Sequence, residues 1–79
     1  MKIKLIAFGI AKDILAHRQQ EFEFEGSSIA DLKTNLLNQF PAFAELKKLS
    51  FAVNEEYQED GFVLTDDKEV VIIPPVSGG

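Results

Sequence analysis

The residues best suited to chemistry are the last six of the chain, and they are Pro74, Pro75, Val76, Ser77, Gly78 and Gly79. Glycine has no Cβ and accepts φ of either sign, so the final carboxyl carbon is sterically open and the backbone before it is thin. A free carboxylate is a poor electrophile, but an acyl-adenylate carries a good leaving group that a sulfur or amine nucleophile can displace. The sequence therefore predicts that Gly79 is the reacting residue.

The two prolines give this end a direction. Proline fixes φ near about −65° and donates no backbone hydrogen bond, so Pro74 and Pro75 should end the last strand and stiffen the chain beyond it. Six extended residues reach roughly 20 Å, which is enough to cross the wall of a partner's active site. Glycines alone could equally be a frayed terminus, and the proline pair makes that alternative less attractive.

Composition limits what the rest of the chain can do. The chain has 79 residues with 46% hydrophobic content, which predicts a single domain over residues 1–79 with residues 74–79 as a protruding tail. Eight Lys and Arg against 13 Asp and Glu give a net charge of −5, which disfavours nucleic acid or an anionic membrane and favours a basic protein surface as partner. The lack of cysteine and of any long apolar span leads us to expect a cytoplasmic protein.

Other polar residues have simpler explanations than catalysis or metal binding. Asp66 and Asp67 lie in a Thr-Asp-Asp-Lys turn, where turn chemistry accounts for both. His17 stands alone beside Arg18 in a polar segment, with no second histidine and no cysteine to share a metal. We therefore expect no catalytic residue, no metal site and no bound cofactor in this chain.

Hydrophobic periodicity places five strand segments. Residues 3–8 put Ile3, Leu5 and Ala7 on one face and Ile6 and Phe8 on the other, so the second face should carry an apolar patch at its far end. Residues 20–25 alternate glutamate with inward-pointing phenylalanine, residues 50–53 form a strand before a polar turn at 54–56, and residues 57–59 form a short edge piece. The β-branched run at residues 69–73 is typical of a central strand.

Helical spacing marks the remaining segments. Residues 10–15 could form one turn after Gly9 ends the first strand, and Ser28 with Asp31 resembles a capping box that begins the one long helix, ended by Pro41. Residues 42–49 predict a weaker helix that turns Phe43, Leu46 and Leu49 toward the core. A helix inserted between an N-terminal hairpin and later strands packs across one face of a mixed sheet, with the first and last strands parallel at its centre. The predicted fold class is α+β, a β-grasp or ubiquitin-like arrangement with an extended C-terminal tail.

Several segments together resemble a known family. The stretches VVIIPPVSGG, FAVNEEY, LTDDKEV and KLIAFGIAKDI closely resemble the small, sulfur-carrying subunit of molybdopterin synthase, and the likeness spans nearly the whole chain. Two positions depart from the family's pattern, since Lys12 stands where arginine is frequent and Ser77 where alanine is also common. Neither touches the proposed reaction, although Lys12 cannot form the bidentate fork of an arginine.

The resemblance implies a reaction cycle and a set of partners. An E1-like adenylating enzyme would activate Gly79 with ATP and magnesium, and a persulfide sulfur donor would convert it to a thiocarboxylate. The loaded tail would enter the large subunit of molybdopterin synthase, which holds the catalytic residues, and give its sulfur to the cyclic pyranopterin precursor. A heterotetramer of two small and two large subunits is the implied assembly.

An apolar patch near the tail exit is the candidate docking surface. Phe8, Tyr57 and Ile73 each lie at a predicted strand end and off the face assigned to the helix-covered core. In the family that the sequence resembles, such a patch docks the partner. Ordinary core or scattered surface residues are the competing interpretation.

Two other functions fit a Gly-Gly end on this fold. The sulfur carrier of thiamin-thiazole synthesis shares both features but tends to lack the Pro-Pro pair. A ubiquitin-like modifier would instead be joined to lysines of target proteins. A plain interaction module would carry neither a thiocarboxylate nor isopeptide-linked targets.

Overall fold

The computed structural model describes residues 1–46 and 49–74, and these form a mixed sheet with helices packed on one of its faces. The elements, in chain order, are β1 (Lys2–Ala7), α1 (Gly9–Leu15), β2 (Gln19–Glu23), α2 (Ile29–Gln39), a 3₁₀ helix (Pro41–Glu45), β3 (Ser50–Val53), β4 (Glu56–Gln58) and β5 (Glu69–Ile73). The five strands follow the order β2-β1-β5-β3-β4. All neighbouring strands are antiparallel except β1 and β5, which are parallel.

The core lies between the sheet and the helices because every strand alternates between two faces. On β1 and β5 the residues on the helix side are fully buried, and on α2 Ile29, Leu32 and Leu36 are buried against them. The strand residues of this core are Ile3, Leu5, Ala7, Phe22, Phe51, Val53, Val70 and Ile72. The predicted β-grasp fold, with parallel first and last strands at its centre, is confirmed.

A capping box begins α2, as the sequence predicts. The Ser28 hydroxyl accepts a hydrogen bond from the Asp31 backbone N–H at 3.2 Å, and the Asp31 carboxylate accepts from the Ser27 and Ser28 N–H groups at 2.9 and 3.1 Å. Gly26 is required beside this box, because its φ is +123° and an added Cβ would lie 2.5–2.6 Å from Asp31 side-chain atoms. The box therefore satisfies helix donors that would otherwise lack partners.

The loop before β5 supplies the other partners at this helix end. The Asp60 and Phe62 carbonyls accept from Ala30 and Ile29 N–H groups at 2.9 and 3.0 Å. The Leu64 N–H in turn donates to the Ser27 carbonyl, and Leu64 is buried. The first turn of α2 and the chain leading into β5 are thus joined by backbone hydrogen bonds.

The structure corrects the weaker helix predicted over residues 42–49. Residues Pro41–Glu45 form a 3₁₀ helix, with Leu46 already extended at φ −82° and ψ 129°. The Phe43 and Leu46 N–H groups donate to carbonyls three residues earlier, which is the 3₁₀ pattern. Phe43 is buried as predicted, and Leu46 and Leu49 are half-buried against the core. The predicted segment also includes residues 47–48, which lie outside the described residues.

The segment after β1 is a longer helix than the single turn predicted. Helix α1 has seven residues, Gly9–Leu15, and is followed by the C-cap residue Ala16, whose φ of 65° is left-handed. Ala11 and Leu15 of this helix are buried in the core, and their packing explains why so short a segment is helical.

Among the described residues, no helix is both long and apolar enough to cross a membrane.

Acid should weaken the contribution of Asp31 to stability. Hydrogen bonds from Ser27 and Ser28 hold the pKa of the Asp31 carboxyl below its usual range, since they favour its charged form. A carboxyl with a lowered folded-state pKa stabilises the fold above its unfolded pKa of about 3.9, and this contribution is lost as the pH falls through the folded value. We expect Asp31→Asn to be less stable than wild type at pH 7, with the difference shrinking below about pH 4. Urea unfolding across this range measures it, and a pH-independent difference would contradict the assignment.

Candidate functional site

Strand β5 determines where the chain leaves the sheet. It is the central strand, and it pairs with β1 over Leu5–Val70 to Ala7–Ile72 and with β3 over Val53–Val70 to Ser50–Ile73. Pro74 follows directly and is half-buried. Since β5 is held on both sides, the starting point of the tail is fixed to the body. The predicted tail residues Pro75, Val76, Ser77, Gly78 and Gly79 lie outside the described residues.

The face of the sheet opposite the helices carries an apolar row across four strands. Cross-strand pairing places Ile6 beside Val71, Val71 beside Ala52, and Ala52 beside Tyr57. These residues alternate with buried core residues on their own strands, so they lie on the other face. Ile6 and Val71 are half-buried and Ala52 is buried, whereas Tyr57 is 70% exposed.

The three predicted docking residues lie on or beside this row. Phe8 is 46% exposed, and its extended backbone continues the alternation of β1 onto the face of Ile6. Ile73 is half-buried and lies one step beyond the Ala7–Ile72 pair, close to Phe8 in register. Tyr57 is two strands away from β5, so it is joined to the other two only through the row.

Sequence reasoning placed Ile6 with Phe8 on this face but missed Val71 and Ala52, which connect them to Tyr57. The complete surface, which we call the docking face, consists of Ile6, Phe8, Ala52, Tyr57, Val71 and Ile73. The period-two pattern of residues 69–73 could have revealed Val71, because Val70 and Ile72 on alternate positions fill the core. Ala52 carried no such signal, since it neighbours Tyr57 and Val71 only through strand pairing.

Arg18 borders the docking face at its tail-exit end. Its guanidinium carbon lies 5.4 Å from the centre of the Phe8 ring, within the range of a cation–π interaction. Its carbonyl accepts a hydrogen bond from the Ala7 N–H at 2.8 Å. Both the backbone and the head of Arg18 are therefore tied to the end of β1.

The opposite end of the same face is polar. Lys2 pairs with Glu21 at 3.0 Å, and the hydrogen bond and charge of Glu21 raise the pKa of the lysine. An open groove of about 580 Å³ lies beside Lys4 and is lined further by Asn54, Glu55, Asp67, Lys68, Glu69 and Val71. The groove is at the start of β5 and the tail leaves from its end, so the groove is separate from the tail exit.

The charged residues of the turn before β5 have structural partners. An Asp66 carboxylate oxygen accepts from the Lys2 N–H at 3.1 Å, and the Asp67 N–H donates to the Lys2 carbonyl at 2.8 Å. These bonds hold the turn against the start of β1, in agreement with turn chemistry. His17 is exposed. Within residues 1–46 and 49–74, no three His, Cys, Asp or Glu side chains are grouped so that they could hold a metal ion.

A mixed sheet with a parallel central pair, a helix across one face and an apolar row on the other defines a β-grasp, ubiquitin-like protein. Solved structures with this fold superpose over nearly the whole chain. The putative molybdopterin converting factor, subunit 1, of Pyrococcus furiosus has a TM-score of 0.84 at 24% identity and covers 96% of this chain and 99% of its own. The SAMP1 crystal structure from Haloferax volcanii has a TM-score of 0.80 at 19% identity and covers all of both chains. At these identities the likeness establishes the fold alone.

The chain belongs to the ThiS family, whose model matches residues 5–79. Relatives named molybdopterin synthase sulfur carrier subunit are 36% identical in Chlamydomonas reinhardtii, covering 100% of both chains, and 31% identical in Caenorhabditis elegans, covering 100% of this chain and 99% of the relative. The resemblance drawn from the sequence is thereby confirmed.

Two aromatic residues on adjacent strands should respond differently to truncation. Phe51 is buried on the helix side, whereas Tyr57 is exposed on the docking face. We expect Phe51→Ala to lower the free energy of unfolding by about 3–5 kcal/mol, and Tyr57→Ala to change it by only about 0.5 kcal/mol. Urea unfolding of the two variants provides the measurement. Similar losses in both would show that Tyr57 belongs to the core.

Proposed function

We propose that this chain is a sulfur carrier in molybdenum cofactor biosynthesis, acting as the small subunit of a molybdopterin synthase. The observation that carries the proposal is full-length identity of 30–36% to relatives that bear this name. These relatives are carrier subunits, which agrees with a chain that supplies a reactive group rather than catalytic side chains. The large subunit would complete the active site.

The chemistry is proposed to take place at Gly79. An E1-like adenylating enzyme uses ATP and magnesium to form an acyl-adenylate on the Gly79 carboxylate, and pyrophosphate leaves. A persulfide donor then supplies sulfur as AMP leaves, and thiol cleavage of the resulting acyl disulfide leaves a thiocarboxylate. The thiocarboxylate gives its sulfur to the cyclic pyranopterin precursor in the large subunit. No cofactor needs to be bound by this chain itself.

The body of the chain would hold and aim this group. Strand β5 fixes the start of the tail between β1 and β3, and Pro74 can donate no further hydrogen bond to the sheet. We infer that residues 74–79 enter the partner, because a proline-stiffened segment of this length reaches roughly 20 Å and ends in two residues without side chains.

The docking face is the proposed contact with the large subunit. It is an apolar row on the face opposite the helix-covered core, with Phe8 and Tyr57 exposed. Phe8 and Ile73 lie at the strand ends from which the tail leaves, so contact there would bring the tail to the partner. The implied assembly contains two small and two large subunits. A cytoplasmic location is proposed with it, in keeping with a chain that has no cysteine.

Two alternatives have a specific observation in their favour. The matching family model is described as ThiS, which keeps thiamin-thiazole sulfur carriage open, although the Pro-Pro pair argues for molybdopterin synthesis. The fold is also that of SAMP1, a small archaeal modifier protein, which keeps protein modification open. Intact mass separates sulfur carriage from protein modification, because a thiocarboxylate replaces one oxygen with sulfur whereas a modifier yields isopeptide-linked targets. The two sulfur carriers both form a thiocarboxylate, so sulfur transfer in a reconstituted molybdopterin synthase separates them.

Deleting Gly79 should abolish sulfur transfer while leaving the fold intact, because residues near a terminus contribute little to the core. Intact mass after incubation with activating enzyme, ATP and a sulfur source, followed by a reconstituted synthase assay, measures the effect. The control is Gly61→Ala, since an added Cβ at Gly61 meets no atom within 4 Å. Full activity without Gly79 would refute the proposed reacting group.

Truncating the docking face should weaken binding of the large subunit. We expect Phe8→Ala and Tyr57→Ala each to raise the dissociation constant roughly tenfold, as central aromatic contacts do. Titration calorimetry against the large subunit provides the measurement. Val63→Ala is the matched control, because Val63 is 63% exposed but lies in the loop that bridges to Ser28. Equal affinity in all three variants would place the contact elsewhere.

A further inference from the structure

The guanidinium of Arg18 is held by an aromatic ring, whereas two lysines of the described residues are held by carboxylates. Lys2 and Lys33 lie 3.0 and 3.3 Å from Glu21 and Asp60, whereas Arg18 has no carboxylate within ion-pair distance among the described residues. Its guanidinium lies instead over the Phe8 ring. An exposed cation held by a ring keeps its hydrogen-bond donors available to a second molecule.

The position of Arg18 places this charge on the rim of the docking face. Residue Gln19 pairs with Ile6 at the β2 end of the apolar row, and Arg18 precedes Gln19 and is bonded to Ala7. At the β4 end of the row, Glu59 lies two residues after Tyr57, just beyond the end of β4, and is exposed. The apolar row therefore has a cation beside its β2 end and a carboxylate beside its β4 end.

We infer that Arg18 pairs with a carboxylate on the rim of the partner's apolar surface and thereby sets the orientation in which the docking face binds. This inference rests on the proposed docking of the large subunit. A guanidinium presents a planar set of donors that matches a carboxylate in a two-point contact. Contact with the Phe8 ring holds the arginine in place before binding, so less side-chain freedom is lost when the pair forms.

The opposite charges at the two edges explain why one such pair can select an orientation. Turning the partner by half a revolution over the apolar row would bring its carboxylate toward Glu59 in place of Arg18. Apolar contacts alone do not distinguish the two placements, because they are not directional. In only one of these two placements would the tail that follows Ile73 enter the partner.

The test compares Arg18→Lys, Arg18→Ala and Arg18→Glu for binding to the large subunit of molybdopterin synthase at several salt concentrations. An exposed pair predicts a loss of affinity of about threefold for Arg18→Ala, less for Arg18→Lys, and roughly tenfold for Arg18→Glu, which adds repulsion. Salt should weaken wild-type binding more than Arg18→Ala binding. Lys33→Glu is the charge-matched control, because Lys33 is on α2 and pairs with Asp60.

The outcomes separate this inference from the function on which it rests. If the wild-type chain binds the large subunit and Arg18→Glu binds with the same affinity, the role of Arg18 is overturned while the proposed function stands. A loss in Arg18→Ala that does not change with salt would also overturn it, because lost packing against Phe8 would then be the cause. Failure of the wild-type chain to bind the large subunit would overturn both proposals.

Discussion

The parallel pairing of β1 with β5 is the constraint on which the rest of the structure depends. The two strands come from opposite ends of the sequence, and their paired residues Leu5 with Val70 and Ala7 with Ile72 form the centre of the core. A parallel pair requires the chain between its strands to cross over one face of the sheet. Helix α2 lies in that crossover and covers that face, so the other face stays free of helices. The exposed apolar row is thus a consequence of the topology.

Hydrogen bonds around the start of α2 also fix the segment that leads into β5. Ser28 and Asp31 cap the helix, and the carbonyls of Asp60 and Phe62 occupy its next free donors. The same loop runs into a turn whose Asp66 and Asp67 bond to Lys2 on β1. The chain therefore enters β5 from a segment held by both the helix and the first strand. The direction of β5, and with it the position of Pro74, is thereby fixed relative to the core.

Local signals predicted most of the fold, and the errors lie where local signals are ambiguous. The capping box, the alternating Phe22 and the β-branched run at 69–73 each pointed to one element and were correct. Phe43, Leu46 and Leu49 are spaced by three residues, which is the period of a 3₁₀ helix as well as an approximation to an α-helical face. Pro41 begins a new helix there and only Phe43 is fully buried, so the segment ends early.

The candidate site was predictable only in part, because it depends on register. Phe8 and Tyr57 could be found as large apolar residues at strand ends, but Ala52 became part of the site only through its pairs with Val71 and Tyr57. The contact between Arg18 and Phe8 likewise joins residues ten positions apart across a helix and a turn. Sequence patterns identify what kind of residue a strand exposes, whereas strand pairing decides which exposed residues become neighbours.

An apolar row left exposed at the centre of a sheet also requires protection from wrong partners. The two edge strands carry much of that protection, since β2 presents Glu21 and Glu23 and β4 begins with Glu56, all exposed. Charges on edge strands oppose edge-to-edge pairing with a second sheet. With a net charge of −5, two copies also repel each other. Edge charges and net charge together therefore oppose self-association of a sheet whose apolar row no described helix covers.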